Sequence, residues 1–339
     1  MLSASTKIEH GFGEITDSTA RQTLYRILES RNNSANEFSD VYVPDYICGC
    51  VYEAINRAGK RIHYYHIDES FYQNFDYKTL VSTIKKESDC KKTVLIFVNY
   101  FATLDCVRTV KIIKELDKDL TVIIDNVQSL FDMRIDSGAD YQFTSLRKWF
   151  PVPDGSAVNG NKGHELKPIE LVQSTSAVEG IIAGFLKNYK SFSEVRDNDY
   201  LTHFEKAEEI INSSWNVKVS SFTETILDNI DFDTVALQRR NNAYSLCEAI
   251  IRNRSYKVSA ERIIKLLDER SAMVPMFVPV FIDNRDYVRH ELMNNNIFCP
   301  IHWPDAKNKD LAVRELSLVI DQRYDENDMK KIADILNSI

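Results

Sequence analysis

The sequence predicts an α/β protein, with a mainly parallel sheet flanked by helices and a smaller C-terminal α+β domain. Three observations predict it. Strand and helix patterns alternate through the first half, as β-α-β units require. The run 93–98 is apolar almost throughout, as expected of a strand covered on both faces. Beyond about residue 202, long helical stretches replace the alternation.

Residues 19–29 place Leu24, Ile27 and Leu28 at helical spacing, with Asp17 and Ser18 as N-cap candidates. Residues 41–44 form a short strand that ends at Pro44. Residues 50–58 read as a helix stopped by Gly59, 62–67 as a strand and 77–86 as a helix. After the strand at 93–98, Val107, Val110, Ile113 and Leu116 mark a helix. A buried strand over 120–124 and a short one over 141–144 complete the first half. The second half reads as helices at 204–211 and 234–253, a strand at 274–282, a helix at 285–294 and a strand at 316–319. A last helix, 326–336, carries Met329, Ile332 and Leu336 on one face. The expected division is a large α/β domain over 1–225 and a small α+β domain over 226–339.

Composition narrows the function. With 339 residues, 44% of them hydrophobic, the chain buries a large core, and length alone suggests two domains. A net charge of −8 favours a soluble protein and argues against a nucleic-acid partner. The basic pairs Lys85-Lys86, Lys91-Lys92 and Arg239-Arg240 read as solvated helix faces. Apolar runs have strand length and fall short of a membrane span. Residues 1–13 show no basic segment leading into an apolar one, so no signal peptide is expected. Six cysteines without CxxC spacing read as reduced thiols of a cytoplasmic protein. The seven histidines do not cluster, and His63 and His66 fall on opposite faces of a strand, so no metal site is expected. Glycine is scarce, 10 residues or about 3% against a typical ~7%. Neither GxGxxG nor GxxxxGK[ST] occurs, which weakens dinucleotide and nucleoside-triphosphate readings.

One constellation carries chemistry. The apolar run Ile123-Ile124 ends in Asp125, at a strand's carboxyl end, where ligands of parallel sheets sit. Lys148 follows 23 positions later, after Ser145-Leu146-Arg147 and before the rigid turn Pro151-Val152-Pro153-Asp154-Gly155. A carboxylate to keep a pyridine nitrogen protonated and an amine to form a Schiff base are the set that pyridoxal phosphate requires. Each has an ordinary reading as well: a surface lysine in a loop, and an aspartate capping the next turn. Gln128 either hydrogen-bonds the cofactor's phenolic oxygen or is a plain surface amide. The helix start at Thr19-Ala20-Arg21 offers free N–H groups and a positive dipole end to phosphate, although capping alone also explains it. Ser145 can add a hydroxyl.

Together these segments resemble the fold-type I pyridoxal-phosphate enzymes, and among them the DegT/DnrJ/EryC1/StrS sugar aminotransferases, over nearly the whole chain. Thr19-Ala20-Arg21-Gln22-Thr23-Leu24 is similar to the family's S-G-x-x-A-L helix start. Val43-Pro44-Asp45-Tyr46 resembles its V-P-x-x strand end, and Val98-Asn99-Tyr100-Phe101 its V-x-x-Y/F segment. Asp125-Asn126-Val127-Gln128 matches D-x-x-Q, and Ser145 through Gly155 resembles the lysine region and its glycine turn. The helix carrying Arg239-Arg240 resembles the interdomain helix, and 279–302 the small-domain strand, helix and return loop. Four positions depart from the pattern: Ala20 replaces glycine, Ile124 stands where many members have glutamate, Cys48 where the family has a ring-stacking aromatic, and Ser145 lies only three residues before the lysine. They indicate an outlying branch.

The resemblance implies a mainly parallel seven-stranded sheet and a cytoplasmic, homodimeric aminotransferase with pyridoxal phosphate as cofactor. It implies Lys148 as the catalytic Schiff-base residue. Asp125, Gln128, Ser145, Lys148, Thr19 and Ala20 are the expected cofactor-binding residues. Arg147 and His302 are candidate contacts to substrate, and the expected substrates are an amino donor and a keto group, on a nucleotide-linked sugar. A lyase or decarboxylase using the same cofactor is the nearest alternative, and a non-catalytic relative the most distant one.

Overall fold

The computed structural model describes residues 11–31, 35, 37–161, 166, 170–190 and 196–339. Most of the segment read for a signal peptide, residues 1–10, lies outside them. The first half runs β1 (Glu14–Asp17), α1 (Ala20–Glu29), β2 (Asp40–Pro44), α2 (Gly49–Arg57), β3 (Arg61–Tyr65), α3 (Tyr77–Glu87), β4 (Thr93–Val98), α4 (Cys106–Leu116), β5 (Thr121–Asp125), β6 (Tyr141–Ser145) and β7 (Ser156–Gly160). These seven strands form one sheet in the order β1-β7-β6-β5-β4-β2-β3. Strands β3, β2, β4, β5 and β6 are mutually parallel, and β7 runs antiparallel to both β6 and β1. Every residue of β4 and β5 is buried, so both faces are covered and neither strand shows an apolar–polar alternation.

Register decides where the site forms. Val98 pairs with Asp125 and Asp125 with Phe143, so β4, β5 and β6 end side by side. The segments that leave β2, β4, β5 and β6 therefore gather at one edge of the sheet. Those segments contain Cys48, Asn99, Gln128 and Lys148.

The remainder runs α5 (Ser176–Tyr189), α6 (Asp197–Ser213), α7 (Ser221–Leu227), α8 (Phe232–Ile250), α9 (Lys257–Glu269), β8 (Phe277–Phe281), α10 (Arg285–Asn294), α11 (Lys309–Arg314), β9 (Glu315–Val319) and α12 (Glu326–Ser338). Strands β8 and β9 form a separate antiparallel pair, and Pro279 is tolerated there because a two-stranded ribbon leaves half its N–H groups unpaired. A second core joins Leu246, Ile250, Ile263, Val278, Leu316 and Ile332. Met329, Ile332 and Leu336 face it from α12, as their spacing predicts.

Several expectations need correction. Thr19, not Asp17 or Ser18, caps α1, accepting from the Gln22 N–H. Asp17 ends β1 and is buried beneath the helix, bound by Arg26 at 2.7 Å, Gln22 at 2.8 Å and Thr23 at 2.9 Å. Val107 is 47% exposed although Val110 and Ile113 are buried. Three-residue steps fall about 60° short of a full turn each, so the outer members of such a series leave the stripe. Arg239 and Arg240 are not a solvated pair. Arg239 is buried, and Arg240 donates to the carbonyls of Leu267, Arg270 and Met273. Strands β1 and β7 were not anticipated because each is short and lacks an apolar run. His66 lies just past β3 and bonds Asp45, while His63 within it bonds Asp40.

No helix among the described residues is long and apolar enough to cross a membrane.

Candidate active site

Asp125 closes β5 and is buried. Among the described residues its carboxylate accepts one hydrogen bond, at 2.9 Å, from the Val127 N–H. Burial pushes the carboxyl up to about 7, the Val127 bond pulls it down, and nearby Cys48 adds to the rise. Among the described residues no arginine or lysine pairs with it, and a buried carboxyl is costly to ionise without such a partner.

Gln128 sits one turn on, and among the described residues neither its amide oxygen nor its amide nitrogen, both buried, has a partner. Native interiors rarely leave a side-chain amide wholly unsatisfied.

Lys148 ends the short 3₁₀ turn Leu146–Lys148 that follows β6. Both neighbours are anchored. Arg147 pairs with Glu208 of α6 at 2.8 Å, which occupies the guanidinium expected to touch substrate. The Trp149 indole donates to the Val127 carbonyl at 2.9 Å, clamping the lysine turn to the Asp125–Gln128 segment. Lys148 itself is exposed, and among the described residues its ammonium has no bonded partner. Its charge lowers Cys48, whereas Asp125 raises Cys50. Lysine, carboxylate and the two thiols are thus within electrostatic reach at one strand-end edge.

The start of α1 joins them through the glycine turn. Gly155 takes φ +111°, and an added Cβ would stand 3.1 Å from both Leu146 and Thr223. Its N–H donates to the Ser18 carbonyl at 2.7 Å, and its carbonyl accepts from the Leu146 N–H at 2.9 Å. Thr19 and Ala20 are thereby held beside the lysine turn. The Ser145 side chain is buried and makes no capping bond there. His302 stands farther off, bonded to Ser317 at 2.9 Å, with its carbonyl accepting from Tyr46 at 3.1 Å.

Sequence reasoning passed over the residues that brace this edge. Asn99 closes β4 as Asp125 closes β5. It donates to Asn126 at 3.1 Å and to Asp132 at 2.7 Å. Asp132 pairs with Arg270 at 3.2 Å. Arg239 lies 4.6 Å over the Trp149 ring, donates to the Met276 carbonyl and binds Gln322, whose amide reaches the Trp149 carbonyl. A polar residue directly after an apolar strand was the available signal for Asn99. Arg239→Ala is expected to lower stability by about 2–4 kcal/mol, because the buried Met276 carbonyl and the part-buried Gln322 amide oxygen lose their donor. Thermal unfolding measures this.

A groove of about 1040 Å³ lies elsewhere, between α3, α4 and α9. None of Asp125, Gln128 and Lys148 lines it.

Solved structures share this architecture. The chain is similar to a DegT/DnrJ/EryC1/StrS aminotransferase from Brucella abortus, at 17% identity and TM-score 0.58, over 96% of this chain and 85% of that one. This is the fold-type I architecture of pyridoxal-phosphate aminotransferases. It is also shared with S. venezuelae DesV, at 13% identity and TM-score 0.59, over 96% and 83% of the two chains. DesI, solved in the presence of its TDP-sugar product, matches at 13% identity and TM-score 0.56, over 96% and 80%. No family model and no curated protein matches the sequence. Asp125, Gln128 and Lys148 end or follow the neighbouring strands β5 and β6 at the strand-end edge just described.

Proposed function

We propose that this chain is a pyridoxal-phosphate aminotransferase that moves an amino group from an amino-acid donor to a keto group, on a nucleotide-linked sugar. The observation that supports it most is the joint state of Asp125 and Gln128 among the described residues: a buried carboxyl without a cation and a buried amide without a partner, with an exposed lysine following the next strand. These residues fit the cofactor, although Cys48 stands where a ring-stacking aromatic is expected.

Asp125 would hold the pyridine nitrogen, Gln128 the phenolic oxygen and Lys148 the aldehyde carbon. The N-terminus of α1 at Thr19 and Ala20, with the Ser145 hydroxyl, would seat the phosphate. When bound, the cofactor supplies an electron sink for the carbanion that forms at the donor's α-carbon. Asp125 keeps that sink effective by favouring a proton on the ring nitrogen. Lys148 would also serve as the general acid/base that moves a proton at the donor's α-carbon. Trp149 orients both, since it ties the lysine turn to the segment after β5.

The sugar acceptor is supported by the shared architecture with DesI and by similarity to the sugar aminotransferase motifs. The reading also includes a homodimer, a cytoplasmic location, a large domain over 1–225 and a small one over 226–339, and His302 as a substrate contact from the small domain.

Glutamate added to the cofactor-loaded protein is expected to convert the yellow aldehyde-bound form to the colourless amine form, with release of 2-oxoglutarate. Absorbance and keto-acid assay follow it. Cofactor binding without that conversion would replace transamination with the lyase reading. A protein that never takes up the cofactor would remove both.

A further inference from the structure

The stretch Cys48-Gly49-Cys50 opens α2 at the same strand-end edge, and no step above uses its thiols. Cys48 is the N-cap of α2, which sets its sulfur beside the positive end of the helix. Cys50 donates its S–H to Cys48, with the two sulfurs 3.0 Å apart. Gly49 between them is exposed and has nothing within 4 Å of where a Cβ would stand, so the pair is reachable from solvent. Both cysteines are part-exposed. A disulfide needs its sulfurs about 2 Å apart, so the pair must close by roughly 1 Å.

We propose that Cys48 and Cys50 form a dithiol exchange site for low-molecular-weight disulfides of the glutathione type. The Cys48 thiolate attacks one sulfur of the small disulfide, forming a mixed disulfide and expelling one small thiolate. Cys50 then gives up its proton to that thiolate and attacks the Cys48 sulfur, expelling the second small thiolate, which takes from solvent the proton that Cys48 had released. One dithiol and one small disulfide thus become one protein disulfide and two small thiols.

The chemistry around the pair selects the attacker. Hydrogen bonding from Cys50, helped by the Lys148 charge, lowers the Cys48 thiol to about 6 against the opposing effect of burial. Cys50 is raised by its place beside the Cys48 anion, by burial and by Asp125, so it serves as the resolving thiol. Cys90 supplies an internal reference. It is also part-exposed, but burial and Asp117 push it up to about 11. Cys106, Cys247 and Cys299 are buried. The site stands apart from the proposed transamination, because its readout is mass rather than turnover.

The full-length protein as purified, and again after hydroxylamine has removed any aldehyde cofactor, is treated with glutathione disulfide and mapped by mass spectrometry. In the wild type, Cys48 and Cys50 are expected in one linked peptide, two hydrogens lighter. Cys50→Ser is expected to trap one glutathione on Cys48, and Cys48→Ser to react at neither position. A wild-type measurement needs no variant: iodoacetamide should label Cys48 at least ~10-fold faster than Cys90 at pH 7, with a midpoint below the usual thiol value of ~8.5. Equal rates at Cys48 and Cys90 under both conditions overturn the site. A glutathione adduct that persists in the wild type overturns the closure.

Discussion

Lys148→Ala is expected to lower transaminase turnover by at least ~10³-fold, because it removes both the amine that holds the cofactor and the group that moves the substrate proton. The same substitution is expected to leave the fold almost untouched. Lys148 is exposed and has no bonded partner among the described residues, so its loss falls in the range of about ±0.5 kcal/mol for surface changes. The separation of these two effects is the test. Its neighbours behave differently, since Trp149 carries the Val127 bond and Arg239 lies across its ring. Lys148→Arg sharpens the comparison. It keeps the positive charge but cannot deprotonate to a nucleophile, and should be as inactive as alanine. Borohydride reduction of the cofactor-loaded protein should attach the cofactor covalently in the wild type and in neither variant. If Lys148→Ala retains a tenth of wild-type turnover, another residue moves the proton and the assignment fails.

How much was legible in the sequence follows from which residues announce their surroundings. Strands β4 and β5 did, because a strand buried on both faces must be apolar at every position, and Thr93–Val98 was read to the residue. Asp125 did as well, since a carboxylate that ends such a strand stands out against it. Arg239 and Arg240 did not. A pair of arginines on a helix reads alike whether it meets water or the carbonyls of a neighbouring turn, and only the packing of α8 against β8 and the Trp149 segment distinguishes them. The Gln128 amide looked as much like a surface group as a ligand contact. Its lack of partners becomes visible only once every nearby donor and acceptor has been placed. Cys48 and Cys50 escaped for a related reason. Separated by one residue, they match no familiar thiol spacing, and their approach depends on the extended backbone at Cys48 meeting the first turn of α2. Thr19 displaced the two cap candidates because β1 runs as far as Asp17, which commits that carboxylate to the buried network with Arg26.

Asp125→Asn is expected to act in opposite directions on the cofactor-free and cofactor-loaded protein. Burial, partly offset by the Val127 N–H, raises this carboxyl from an ordinary 3.8 to about 7. A carboxyl with a raised native pKa holds its proton more tightly in the folded than in the unfolded state. Its contribution is fully favourable below about pH 4 and is lost as pH rises through about 7. By pH 8 the buried charge costs the cofactor-free fold on the order of 4 kcal/mol, taking about three pH units at ~1.4 kcal/mol each. Asparagine keeps the Val127 bond through its oxygen and carries no charge. The cofactor-free variant should therefore melt about 3–6 °C higher than wild type at pH 8, with the gain shrinking on acidification and gone near pH 4. With the cofactor bound, the wild-type carboxylate faces a protonated ring nitrogen and the cost becomes an attraction. Losing a charge-assisted hydrogen bond there removes about 2–3 kcal/mol, so turnover should fall on the order of 10²-fold and the melting increment on cofactor addition should shrink. Calorimetry with and without cofactor across pH 4–8 measures both signs in one series. A cofactor-free variant no more stable than wild type at pH 8 would mean that the buried charge already has a cation, and the pyridine nitrogen would lose its reason to sit there.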